Sequence, residues 1–278
     1  YLSGFKYKNA EGKDLWDAIG KISKMPVRAM VQTWLKQPGF PVVEIEKQDS
    51  TLHLKQRRYV LESDKKSNKG LWSIPLSIGL QDELFQKLFT KKSMSVKLPK
   101  DSLGFVANFG RKGFYRVKYD EGTLIDLKML IDQKQIPTID RWAIQNDLFS
   151  LCVSGDETVR NYLDFSDAYY DEDSYLATVN VAHNLSSLYF RAFDEDFSDQ
   201  IRNYTVKYLK KILHDLGWEP KKTDKHTDAL MRGFVIFTLG KLDDEEVTIE
   251  SENRYKQFLK NQSSLSPDLV EPVCSVMA

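Results

Sequence analysis

The chain has only four histidines, His53, His183, His214 and His226; none is followed by glutamate, and no two sit three or four residues apart. A zinc site built on one helix face or loop needs imidazoles at that spacing, so these four do not compose one. Cysteine is equally scarce. Cys152 and Cys274 lie far apart, without the paired spacing of a disulfide framework or a zinc knuckle, and their apolar neighbours mark them as buried free thiols. Neither carries the flanking signature of a cysteine peptidase, and no Gly-x-Ser-x-Gly elbow is present. Leu103-Gly104 and Phe109-Gly110 lack the Gly-Lys-Ser/Thr ending of a phosphate loop. No catalytic and no metal-ligating residue is therefore nominated.

Net charge is missing as well. Forty basic residues balance forty acidic ones, so no global field gathers nucleic acid or an anionic membrane. No apolar run reaches the roughly 18 residues of a spanning helix, and the amino end lacks a signal-peptide pattern. Neither nucleic acid nor a membrane is expected as a partner. The isolated cysteines favour a reducing, cytoplasmic compartment. Against this stand three glycosylation-type triplets, Asn184-Leu185-Ser186, Asn203-Tyr204-Thr205 and Asn261-Gln262-Ser263.

What the chain does have is apolar content: 41% hydrophobic and 12% aromatic over 278 residues, enough for two packed domains. Its periodicity changes twice. Leu15, Ile19 and Ile22, then Val27, Met30, Val31, Trp34 and Leu35, recur at helical spacing, with Pro26 suited to the first turn of the second helix. From Phe40 to about Tyr119 the period is two. Leu52, Leu54, Gln56, Arg58 and Val60 share one face, and Trp72, Ile74, Leu76 and Ile78 another. Shorter runs at 42–47, 94–98, 105–109 and 114–119, separated by turns such as 64–70 and 110–113, bring the strands to six or seven. Such strands with almost no helix between them predict a small antiparallel β-sandwich, with Pro75 at an edge or bulge. From Gly122 the helical period returns and stays, giving seven or eight short helices in hairpins and an irregular solenoid. The sequence ends inside that pattern, and Val270, Val273, Val276 and Met277 make no polar cap, so further stacked helices are expected.

Gly113-Phe114-Tyr115-Arg116-Val117-Lys118-Tyr119-Asp120 places Phe114 on one face of a strand and Tyr115, Val117 and Tyr119 on the other, so both faces are expected to be covered. Arg116 suits a buried ion pair and Asp120 a helix cap. The acidic runs 171–173, 194–196 and 243–246 match no calcium loop, and their places at helix ends predict solvated turns.

These local patterns occur in a fixed order. Tyr1 to Ala10 with Asp14-Leu15-Trp16 comes first, then Trp34-Leu35-Lys36-Gln37-Pro38-Gly39-Phe40-Pro41, then Leu71-Trp72-Ser73-Ile74-Pro75-Leu76. After the Gly113 run come Asp140-Arg141 with Asp147-Leu148-Phe149, and Leu216-Gly217-Trp218-Glu219-Pro220 with Leu230-Met231-Arg232-Gly233. Their order and spacing resemble the region downstream of the catalytic domain in the aminopeptidase N-like (gluzincin) zinc aminopeptidases, above all the archaeal tricorn-interacting aminopeptidases. The resemblance covers nearly the whole chain. It implies three parts: residues 1–38 as the last helices of a thermolysin-like domain, 39–121 as a β-sandwich, and 122–278 as a truncated α-helical superhelical (HEAT-like) domain.

It also implies a parent enzyme that removes amino-terminal residues from peptides, with zinc in that parent and none bound by this segment. The family's His-Glu-x-x-His helix, downstream Glu and Gly-x-Met-x-Asn loop are all absent from these residues. The implied partners are peptide substrates, the upstream catalytic domain of the same polypeptide and a larger protease complex. In relatives the helical domain curves over the catalytic cleft, so Arg232 and Arg141 are named as contacts for a peptide's far end, although Asp140-Arg141 also reads as a structural pair behind a Thr138 cap. The alternative is a non-catalytic scaffold of the same sandwich and solenoid that binds a protein partner.

Overall fold

A computed structural model describes residues 1–61, 70–80, 83–99 and 104–278. Residues 64–69 of the turn expected at 64–70, and Leu103, lie outside them. The chain divides into two compact units, Tyr1–Thr158 and Val159–Ala278.

The first unit opens with two helices, α1 (Gly12–Ser23) and α2 (Val27–Leu35). Pro26 stands at the amino cap of α2, one residue outside the first turn. The helical period holds, but the apolar face of α1 is uncovered: Ile19 is 40% exposed and Ile22 85%. Seven strands follow among the described residues: β1 (Pro41–Gln48), β2 (Thr51–Arg58), β3 (Ile74–Gly79), β4 (Leu84–Phe89), β5 (Ser93–Lys97), β6 (Val106–Ala107) and β7 (Arg116–Tyr119). They form two small sheets, ordered β5-β2-β1-β7 and β4-β3-β6. The alternating residues Leu52, Leu54, Trp72, Ile74, Leu76 and Ile78 are all buried, as the period of two requires.

The sheets are not wholly antiparallel. β7 runs parallel to β1, pairing Val42 with Arg116 and Ile45 with Tyr119. The pairing is fixed from outside the ladder, because the Asp120 carboxylate accepts the Lys47 N–H at 2.6 Å and also caps the next helix through the Thr123 N–H at 2.7 Å. Pro75 sits where β3 has one strand partner, since β6 meets β3 only at Ile78 and Gly79. Two tyrosines of the β7 segment reach the other sheet: the Tyr119 hydroxyl accepts the Ala107 N–H at 2.9 Å, and the Tyr115 hydroxyl accepts the Ser77 N–H at 3.4 Å. Phe114 does not cover the opposite face, being 72% exposed. It precedes the first paired residue of β7 and leans on Phe40 and Trp34. Helices α3 (Glu121–Asp132) and α4 (Thr138–Val153) complete the unit. Pro137, not Thr138, is the amino cap of α4.

The second unit holds α5 (Val159–Ser166), α6 (Tyr175–Arg191), α7 (Ser198–Leu216), α8 (His226–Lys241), α9 (Glu245–Lys260) and α10 (Pro267–Val276). Its core is drawn from Tyr162, Val181, Leu185, Tyr208, Leu209, Val235, Leu239, Leu269 and Val273, all at most 1% exposed. Helices α8 and α10 approach closely: a Cβ on Gly240 would meet Val276 at 2.4 Å. No described helix is long and apolar enough to cross a membrane.

Candidate functional site

The polar chemistry of the first unit gathers on one helix. Asp140, Arg141, Gln145 and Asp147 are buried on α4, and Asp140 and Asp147 meet the turn that leads into β7. That turn needs help, because Asn108, Gly110 and Arg111 all adopt left-handed backbone. Asn108 holds it from inside, its amide donating to the Gly113 and Tyr115 carbonyls while its Oδ1 accepts the Gly113 N–H. Asp140 Oδ1 accepts the Gly110 N–H at 2.7 Å. Its other oxygen is buried without a hydrogen-bond partner, and burial raises its pKa against the opposing pull of the Gly110 N–H and the Arg111 charge.

Asp147 is the hub. Its two oxygens take Arg111 at 2.6 and 2.7 Å, Arg116 at 2.9 Å and the Val117 N–H at 3.0 Å. Burial would lower the Arg111 pKa, but the two-pronged contact with Asp147 outweighs it and the pKa rises. The Arg116 guanidinium lies beside the stacked rings of Phe40 and Tyr59, at 5.8 and 5.6 Å from their centroids. The ion pair expected of Arg116 is therefore present, and Arg111 shares it. Sequence reasoning did not single out Arg111, whose left-handed backbone becomes visible only in the structure.

The two arginines named as peptide contacts belong to different units, and both are buried within their own. Arg141 Nη1 donates to the Ile136 carbonyl at 2.8 Å. Arg232 is 0% exposed and closes the loop between α7 and α8: Nε donates to the Gly217 carbonyl at 2.8 Å, and Nη2 reaches Asp224 at 2.5 Å. Its Nη1 is buried with no partner. The Lys221 N–H, and after it Arg232, hold the Asp224 pKa below the ordinary carboxylate range.

The acidic runs differ in use. Asp171 pairs with Lys211 at 3.0 Å, while Asp244 caps α9 through the Val247 N–H and pairs with Lys210. The side chains of Asp194, Glu195 and Asp196 are exposed and take up no such role. A polar pocket of about 340 Å³ lies nearby in the same unit, lined by Tyr170, Glu172, Tyr175, Lys211, Lys225 and Asp228 among others.

The residues present do not fit a zinc site. Among the described residues no three His, Cys, Asp or Glu side chains converge, and His53 is engaged with the Ser95 hydroxyl at 3.2 Å. Burial pushes the Cys152 thiol up to about 12, so it stays protonated and is no nucleophile at neutral pH.

Comparison with known proteins relates the chain to one part of larger proteins. Aminopeptidase M1-D of Oryza sativa subsp. japonica is 26% identical over 96% of this chain and 32% of its own length. Aminopeptidase M1 of Arabidopsis thaliana is 28% identical over 97% of the chain and 33% of its own length. Tricorn protease-interacting factor F2 of Thermoplasma acidophilum is 31% identical over 88% of the chain and 29% of its own length. The chain thus spans about a third of the relatives it matches. Residues 105–278, from the last strands through every helix of the second unit, match one family along their length. The chain belongs to the ERAP1-like C-terminal domain family.

Proposed function

We propose that the chain is the carboxy-terminal, non-catalytic portion of a zinc-dependent aminopeptidase. In that parent, residues 39–121 act as a β-sandwich and residues 122–278 as a helical solenoid that walls the substrate chamber. The observation that carries the reading is the alignment of nearly the whole chain to about a third of proteins named aminopeptidases. The uncovered apolar face of α1 supports a further part of the reading, that residues 1–38 are the last helices of a catalytic domain which covers Ile19 and Ile22. The zinc, its ligands and the general base belong to that upstream domain, and the parent is cytoplasmic. The name of the Thermoplasma relative supports docking of the parent to a larger protease complex.

Arg141 and Arg232 then act on peptide from behind, by fixing the α4 start and the α7–α8 loop that present the chamber wall. The wall matters to a peptide and not to a small reporter, because a single-residue amide takes its binding from the amino-end pocket alone. The test is the parent enzyme cut after Thr158, where the first unit ends. kcat/KM should fall further for a peptide of roughly six to ten residues, the range a closed chamber admits, than for a single-residue amide. Equal losses for both would show that the second unit acts only through stability.

A further inference from the structure

We propose that the turn between α6 and α7 is a docking surface for a basic, apolar segment of another protein. Three phenylalanines stand out of it: Phe190 at 49% exposure, Phe193 at 61% and Phe197 at 42%. Phe190 and Phe193 both rest against the ring of the buried Tyr189, at 5.2 and 5.8 Å between centroids, so two of the three exposed rings are anchored on one buried aromatic. Isolated exposed apolar side chains are ordinary; three at one turn are not.

The occupant is decided by charge. Asp194, Glu195, Asp196 and Asp199 are all exposed, and none makes a side-chain hydrogen bond or ion pair among the described residues. Arg191 is the one cation in this stretch, and its guanidinium is turned back to Ser187. The other two acidic runs are used by the fold, through Lys211 and through the α9 cap with Lys210. This one contributes no cap to α7, whose amino end has no side-chain hydrogen bond. Four exposed carboxylates interleaved with three exposed phenylalanines over residues 190–199 repel nucleic acid and anionic lipid and favour a cationic polypeptide that also carries aliphatic or aromatic side chains. The rings supply contact area at low entropy cost, and the carboxylates steer approach and set register.

The experiment uses the full chain and fluorescein-labelled probe peptides of about 18 residues, long enough for an amphipathic helix. One is made of leucine and lysine, one of glycine and lysine at the same charge, and one of leucine and glutamate. Anisotropy should show the Leu/Lys peptide binding at least about tenfold more tightly than either control. Phe193→Ser with Phe197→Ser should weaken it by about tenfold or more, and Asp194→Asn/Glu195→Gln/Asp196→Asn should weaken it and flatten its salt dependence. The second variant touches only exposed polar side chains, so the test stands even if the first lowers the melting temperature. Equal binding by wild type and both variants overturns the proposal, as does equal binding of the Leu/Glu peptide. Sedimentation of the chain with phosphatidylcholine vesicles, abolished by the Phe variant, would assign the surface to lipid instead.

Discussion

Replacing Asp147 by alanine removes the carboxylate on which three groups of the first unit converge. Arg111 loses both of its contacts to the carboxylate, Arg116 loses its only carboxylate partner among the described residues, and the buried Val117 N–H loses its acceptor. Deleting one member of a buried pair costs about 3–5 kcal/mol, chiefly because the other charge is stranded. Here the Arg111 and Arg116 side chains keep 19% and 22% exposure, so water reaches both and the lower end applies. The orphaned Val117 N–H adds about 1 kcal/mol. We expect a loss of about 4 kcal/mol, which for a unit of this size lowers Tm by roughly 8–16 °C. Trp16, Trp34, Trp72 and Trp142 lie in the first unit and Trp218 in the second, so tryptophan fluorescence reports mainly on the first. Asp147→Asn, which keeps one acceptor, should lose about half as much. Arg111→Met should cost about 1–2 kcal/mol, since Arg116 still neutralises the carboxylate, and the double variant should fall well short of the sum. A Tm within 2 °C of wild type for Asp147→Ala, or strict additivity in the cycle, refutes the hub.

Trp72→Ala should destabilise the first unit by about 3–5 kcal/mol, because the ring is 0% exposed between the sheets and its backbone is held by Gln56; an unchanged melt would show that the strand faces are misassigned. The Asp224 pKa is depressed in the folded chain, so its contribution is complete above the ordinary aspartate value of about 4 and is lost as pH falls through the folded value. Acid titration of the second unit, followed by Trp218 fluorescence, should therefore lose a stabilising step below about pH 4 in Asp224→Asn, and the same profile in variant and wild type would remove Asp224 from the account.

The helices were legible because their packing is local. Leu127 and Ile131, or Ile144, Leu148 and Leu151, are buried at the spacing that one helix face demands. The strands were legible wherever one face is apolar, as in β2 and β3. β4 was not, because Leu84, Phe85, Leu88 and Phe89 carry no alternation and the strand is half exposed. The parallel partner of β1 was hidden for another reason: it depends on Asp120 and Asp147, whose acceptors are filled by residues distant in sequence. The same distance hid the role of Arg232. Its partners Gly217 and Asp224 lie in a loop, and position alone does not separate an arginine that faces a ligand from one that ties a loop to its helix. The Gly113 run showed its inner face faithfully through Tyr115, Val117 and Tyr119, and misled at Phe114, where the pleat has not begun.

The parallel pairing of β1 with β7 sets a timetable for synthesis. Lys47 and Asp120, joined across it, are 73 residues apart. A ribosome adding about 5–20 residues per second takes about 4–15 s to cover that distance. Throughout that interval Val42, Val43 and Ile45, which end fully buried, have a hairpin partner on one side and nothing on the other. The nascent chain therefore carries an unpaired, β-branched edge for seconds, an edge open to pairing with other chains when translation stops early.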